Sequence, residues 1–262
     1  YTSSVAELSF SGCYNLGEIS LNDATIGGLI GRVNYGSDIA IKGCYNKGIV
    51  SAKGSFGGGI IGYAESTTRL TLDGAYNLGD VTSQENTGGM IGQISKLNTV
   101  TIKNCFNSGE INSVNRAAGI IAYANSTNAV IEGCYNSGKI ITESSESAGI
   151  LGTNFDGFST TVRNCYNVGE ISGESGGAGI VSLLRRNGKV INCFNAGKFT
   201  VKGAVGAICN SVSSATVTNC YYSEGTSSIS QTQSVTAEQL QSWAAAFALN
   251  GQGLVQTDSE GA

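Results

Sequence analysis

The run Ile41-Lys42-Gly43-Cys44-Tyr45-Asn46-Lys47-Gly48-Ile49-Val50, followed by Gly58-Gly59-Ile60-Ile61-Gly62, decides the fold, because both blocks return in this order along most of the chain. The first block recurs as Gly12-Cys13-Tyr14-Asn15, Gly74-Ala75-Tyr76-Asn77, Asn104-Cys105-Phe106-Asn107 and Gly133-Cys134-Tyr135-Asn136. It continues as Asn164-Cys165-Tyr166-Asn167 and Asn192-Cys193-Phe194-Asn195, then decays to Asn219-Cys220-Tyr221-Tyr222. The steps between the Cys-phase residues are 31, 31, 30, 29, 31, 28 and 27. A near-constant period of this size marks a stack of repeated supersecondary units.

Each phase of the repeat has its own chemistry. The residue before the Cys phase is Gly or Asn in all eight copies, four of each. Those two residues tolerate φ > 0 best, so a one-residue left-handed bend belongs there. Three residues before the Cys phase stand Phe10, Ile41, Leu72, Ile102, Ile131, Val162, Val190 and Val217. Six residues after it come Ile19, Val50, Val81, Ile111, Ile140, Ile171 and Phe199. These are strand formers with period-2 flanks. In the second block, from Gly27-Gly28-Leu29-Ile30-Gly31 to Val205-Gly206-Ala207-Ile208-Cys209, an aliphatic pair is flanked chiefly by small residues. That pattern predicts a packed strand with close backbone approach. One unit of about three short strands cannot bury its own apolar side, whereas stacked copies can. The expected fold is all-β: a single parallel β-solenoid of about eight coils spaced ~4.8 Å apart. In-register stacking then produces a Cys ladder, an Asn ladder and an aromatic ladder.

The composition supports a packed chain. Apolar residues are 40%, charged residues 13%, and 38 glycines come with no Pro. Net charge is −4 without a basic cluster, and Arg185-Arg186 is the only basic pair. No nucleic-acid interface is therefore expected, and one pair is too little for a polyanion groove. No apolar run is long enough to be a membrane-spanning helix. Seven of the eight Cys fall at one phase, Ala75 replaces the missing one, and there is no His or Cys-x-x-Cys. Free, buried, apolar-like thiols are expected rather than zinc ligands or disulfides. No cofactor is expected.

The alternation of Gly-Gly-Leu-Ile-Gly with Cys-Tyr-Asn-x-Gly resembles the GLUG repeat, over about residues 8–222. That repeat occurs in large bacterial surface proteins, including adhesins and the non-catalytic regions of some immunoglobulin A proteases. The resemblance implies an extracellular or cell-surface location and a host or bacterial surface glycan or protein as partner. It implies no protease machinery, since a His-Glu-x-x-His motif cannot be built without His.

The domain reading is a β-solenoid repeat domain over 1–222, followed by 223–262, which begins with a Ser-, Thr- and Gln-rich linker over 223–235. After the linker, Thr236-Ala237-Glu238-Gln239 reads as a capping box, and Leu240, Trp243, Ala244 and Phe247 form a helical apolar stripe. A capping helix over about 236–249 and a mobile tail are expected. At the other end the chain enters a strand at Glu7-Leu8-Ser9-Phe10 with no cap ahead of it. Further structure is expected upstream, and an open coil end admits a monomer or end-to-end association.

Two functions follow from this reading. The first is a non-enzymatic stalk or adhesin segment. If Cys and Asn point inward, the ring between them points outward, giving a stripe of Tyr14, Tyr45, Tyr76, Phe106, Tyr135, Tyr166, Phe194 and Tyr221. Such a patch is a candidate surface for glycan or protein, the alternative being an aromatic stack covered by turn side chains that stabilises neighbouring coils. The second is a carbohydrate-active enzyme of the β-helix type, a polysaccharide lyase or glycoside hydrolase. It needs carboxylates converging from neighbouring coils. The acidic candidates are Asp23, Asp38, Asp73, Asp80, Asp156, Glu18, Glu110 and Glu170. Glu18, Asp80, Glu110 and Glu170 share a phase with Lys139 and Lys198, the pattern of a solvated mixed-charge turn.

Overall fold

A computed structural model describes residues 7–22, 24–34, 38–125, 127–155 and 159–223, together with the backbone of Gln233–Val235. The expected helix at 236–249, the tail, Asp23 and Asp156 lie outside the described residues. Among the described residues the chain is all-β. It winds as a parallel solenoid of seven complete turns, with an eighth supplying two strands.

One turn carries five strands, here named a to e. In the second turn a is Asp38–Lys42, b Tyr45–Asn46, c Val50–Ala52, d Phe56–Gly58 and e Ile61–Glu65. This corrects the expectation of about three. The Gly-Gly block is not one strand but a corner, with d before it and e after it. The Tyr-Asn pair forms its own two-residue strand. Like strands pair in register from turn to turn, as in Tyr14↔Tyr45↔Tyr76↔Phe106. The unequal repeat lengths are absorbed in the c–d and e–a corners. In the stretch read as a linker, Gln233–Val235 pairs in parallel with Tyr221–Ser223 as a ninth member of sheet b.

The predicted left-handed bend is present in every copy. Gly12, Gly43, Gly74, Asn104, Gly133, Asn164, Asn192 and Asn219 all have φ between 50° and 65°. It turns strand a into b so that the following Cys points inward. A second left-handed corner joins e to a, at Ser66 (51°) and Lys96 (56°) among others. No residue type marks it in the sequence.

Two apolar columns run inside the coil. The larger takes Ile39 and Ile41 of strand a, the Cys column, and Ile60 and Ile61 at the d–e corner, with their equivalents in other turns. The smaller lies between c and d: Val50, Val81, Ile111, Ile140 and Ile171, with Ile26 and Ala117. A column of fully buried Asn side chains stands between them. Asn46 Nδ2 donates to Asn77 Oδ1 (2.8 Å), and the relay continues Asn77→Asn107 (2.7 Å), Asn107→Asn136 (2.8 Å), Asn136→Asn167 (2.8 Å) and Asn167→Asn195 (2.9 Å). Each amide spends its other N–H on the carbonyl two residues ahead, as Asn107 does on Gly109 (2.8 Å). Buried polar groups need such partners, and here every rung supplies the next.

The Asn column also explains why the two sequence blocks travel together. A methyl group on Gly59 would sit 2.5 Å from the Asn77 amide carbon, and one on Gly119 would sit 2.6 Å from that of Asn136. The d–e corner of one turn therefore presses against the Asn of the next, and only Gly leaves room for it.

The thiols pack as apolar groups. All eight Cys are free, Cys13 is exposed, and the others are buried. Burial pushes the thiols of Cys44, Cys165 and Cys193 up, and that of Cys209 up to about 12. Thiolate is the reactive form, so buried neutral thiols react slowly. Cys13 is expected to react first with a thiol reagent in the native protein, and all eight in denaturant. Fewer than about seven reacting in denaturant would mean that a disulfide has formed, against the side-chain geometry of in-register neighbours.

Candidate functional site

On strand b the Asn points in and the aromatic points out, as alternation requires. The outward rings form a continuous stack. Centroid separations are 5.1 Å (Tyr14–Tyr45), 4.8 Å (Tyr45–Tyr76), 5.0 Å (Tyr76–Phe106), 4.8 Å (Phe106–Tyr135) and 4.9 Å (Tyr135–Tyr166), and every pair lies within 9° of parallel. Phe194 and Tyr221 continue the register on strand b. The structure thus places all eight predicted ring positions in one row.

The rings are only part-buried, and Tyr14 is 58% exposed. A second outward row, two residues further on, widens the patch. Leu16, Leu78 and Val168 there are exposed, and the Lys47 ammonium lies 5.2 Å from the Tyr45 ring. The result is an apolar ridge along the long axis. Its geometry limits its chemistry. Each interior ring gives both faces to its neighbours, so it offers solvent its edge and, for Tyr, its hydroxyl. Only a terminal ring such as Tyr14 retains a free face toward which a sugar could stack.

The carboxylates are distributed differently. On strand a's outer face Lys42, Asp73, Lys103, Glu132 and Arg163 follow one another in register. Glu132 sits between Lys103 (3.3 Å) and Arg163 (2.9 Å), and the Arg163 guanidinium holds its carboxyl below the usual carboxylate range. In the Glu18 phase, Lys139 pairs with Glu170 at 3.3 Å, and Asp80 Oδ1 accepts from the Glu110 amide at 2.8 Å. The phase is a mixed-charge turn, as its composition suggests. An open pocket over strand c of turns five to seven is lined by Ile141, Thr142, Phe199 and Val201, with Glu143, Glu174 and Lys202 among its other lining residues. Glu174 pairs with Lys202 at 2.9 Å and is more than half exposed. An enclosed carboxyl, the usual setting of a general acid, is not what Glu174 offers.

A third surface was not legible in the sequence. The Gly-Gly corner is re-entrant, so the outer faces of d and e meet. Phe56 lies 5.1 Å from Tyr63, Asn86 Nδ2 donates to Gln93 Oε1 (2.7 Å), and Arg116 stands over Tyr123 (5.2 Å). The partners are seven residues apart with a bend between them, and no strand or helix period relates them. No described group of acidic, Cys or His side chains could hold a metal ion.

No family model matches the chain, and no curated protein matches it either. Among solved structures it resembles a candidate immunoglobulin A1 protease from Bacteroides ovatus, with a TM-score of 0.50 and 17% identity, covering 86% of this chain and 76% of that one. The likeness is one of fold.

Proposed function

We propose that this chain is a non-enzymatic repeat module of the GLUG kind, acting at a cell surface or outside the cell as a stalk or adhesin segment. Its ridge from Tyr14 to Tyr166 carries the contact with protein or glycan. The observation behind this reading is the ridge itself: six stacked rings flanked by exposed Leu16, Leu78 and Val168. Stacking of the rings stabilises neighbouring turns by itself, but the exposed Leu16, Leu78 and Val168 beside them add an apolar patch that stacking does not require, and such patches commonly mark interaction sites. Resemblance in fold to a protein described as an immunoglobulin A1 protease candidate supports the extracellular setting. Ion pairs that tie Glu65, Glu132, Glu146 and Glu170 to adjacent turns support the non-enzymatic reading over the lyase or hydrolase alternative.

The test is a glycan and extracellular-matrix array run with the native chain, with Tyr45→Ser/Tyr76→Ser/Tyr135→Ser, and with Leu16→Ser/Leu78→Ser/Val168→Ser. The first variant interrupts all five ring pairs, each worth about 0.5–1.5 kcal/mol, so its circular dichroism must be checked. The second changes only the exposed flank. Specific binding by the native chain, lost in both variants with their spectra unchanged, is the expected result. Binding unaffected by both variants, or no binding at all, removes the ridge from the function.

A further inference from the structure

The outer face of strand e carries a second feature that the ridge does not explain. Three arginines stand over aromatic rings there: Arg32 over Tyr63 (5.0 Å), Arg116 over Tyr123 (5.2 Å) and Arg185 over Phe155 (5.2 Å). The Tyr123 and Phe155 rings are themselves 6.1 Å apart and 27° from parallel. The central cluster is thus a guanidinium, two rings and a second guanidinium, spanning turns four to six. In sequence these residues are scattered; the repeat aligns them.

Their partners differ. Arg32 pairs with Glu65 (3.0 Å), and Arg116 with Glu146 (2.9 Å). Arg185 has no carboxylate within ion-pairing distance among the described residues. Two polar atoms without a partner among the described residues stand in register with the cluster, Thr153 next to Tyr123 on strand e and Asn86 next to Arg116 on strand d. Thr153 Oγ1 belongs to a side chain 1% exposed, and Asn86 Oδ1 to one 4% exposed. Buried polar atoms are ordinarily paired, and orphans of this kind ask for an explanation. On a chain of net charge −4, the outer faces of d and e carry Arg32, Arg116 and Arg185 against Glu65 and Glu146. A guanidinium held over a ring keeps its N–H edge free for a carboxylate, which it meets through two parallel hydrogen bonds.

We propose that the face of strands d and e from Arg116 to Arg185 binds a carboxylate-bearing polysaccharide, a chain of uronate residues lying along the solenoid axis. Arg185 takes a ligand carboxylate, and Phe155 and Tyr123 hold the guanidinium pair in place. A linear polymer laid along the axis can meet the whole cluster, which spans turns four to six. An acidic peptide suits it less. Peptides add to sheets at open edges, and strand e of these turns is hydrogen-bonded to a neighbour on both sides. The inference extends the surface-contact reading to another face and does not use the ridge.

The experiment is calorimetric titration of the full chain with hexamers of galacturonate, mannuronate and alternating glucuronate–N-acetylglucosamine. A neutral xylose hexamer and hexaglutamate serve as comparison. Arg185→Gln and Phe155→Ser alter exposed or half-buried side chains and should fold, which circular dichroism checks. At least one uronate hexamer is expected to bind, the xylose hexamer to bind more weakly, and Arg185→Gln to weaken uronate binding about tenfold, the size of one charged contact. Phe155→Ser should weaken it in the same direction. The ridge variant Tyr45→Ser/Tyr76→Ser/Tyr135→Ser should leave it unchanged. Failure of every uronate hexamer to bind overturns the proposal, as does an Arg185→Gln affinity within about twofold of the native value. Equal binding of hexaglutamate would overturn the sugar assignment. Loss of uronate binding in the ridge variant alone would return the site to the ridge and leave the surface-contact reading standing.

Discussion

Gly119→Ala is expected to destabilise the protein by about 3 kcal/mol or more, for a single added methyl group. Gly119 sits at the d–e corner of the fourth turn, pressed against the Asn136 side chain of the fifth. The new Cβ would lie 2.5 Å from Asn136 Cβ and closer still to the Gly149 carbonyl oxygen. Backbone on one side and a hydrogen-bonded column on the other leave nothing flexible to give way. Native interiors have no slack for such an insertion, so the corner must open. Gly43→Asn is the informative contrast. Gly43 has φ of +59° but nothing within 4 Å of where its Cβ would be, and four other copies already carry Asn there. It should lose less than about 1 kcal/mol. Denaturant titration followed by circular dichroism reads both. Because each turn touches only its neighbours, limited proteolysis of Gly119→Ala should cut first in turns four and five. A Gly119→Ala protein within about 0.5 kcal/mol of native, or one weaker at Gly43 than at Gly119, would refute this account of the corner.

The same contrast shows what could be read from sequence. The Gly/Asn alternation before each Cys gave away the left-handed bend, because those two residues share a conformational property and little else. Cys exchanged for Ala75 gave away a small inward apolar slot, and the structure buries Ala75 fully. The ring stripe followed from alternation alone. The Gly-Gly-Leu-Ile-Gly block misled, because Gly there serves close approach between turns, and a one-dimensional pattern cannot say against what. Reading it as a strand merged d and e and gave about three strands per turn where five exist. The e–a corner left no trace, since Ser66 and Lys96 take φ > 0 without being Gly or Asn. The arginine–ring cluster was hidden for a related reason. Arg116, Tyr123, Phe155 and Arg185 share no single phase, and only the re-entrant corner makes the outer faces of d and e one surface.

Asn107→Asp is expected to be worse than Asn107→Ala, although it is the nearer match in shape. Asn107 is fully buried in the middle of the column. It donates to Gly109 O and Asn136 Oδ1, and accepts from Asn77 Nδ2 at 2.7 Å. Alanine removes these bonds and leaves Asn136 Oδ1 without the donor below it, a loss of about 3 kcal/mol. Aspartate keeps the acceptor and replaces the donor by a second carboxylate oxygen. Two oxygens that received hydrogen bonds then face negative charge in an apolar surround, and no described cation pairs with Asn107 to compensate. A loss of about 4 kcal/mol or more at pH 7 is expected. The sign of the pH dependence follows. Burial without a cation raises the introduced carboxyl's folded pKa above its unfolded value of about 3.9. Stability is therefore retained below that unfolded value, where the acid is protonated in both states and its O–H can restore one donation. It is lost progressively as pH rises through the folded pKa. The native protein carries no titratable group at this position, so the difference between variant and native stability at pH 4 and pH 7 isolates the effect. An equal deficit at both pH values, or no deficit at pH 7, would mean that the column is not the directional relay its geometry describes. The outcome bears on function as well, because strand b carries the Asn column on one face and the exposed rings on the other. A variant that loosens the inner rung must also loosen the Tyr76–Phe106–Tyr135 stack on the opposite side of the same two-residue strands.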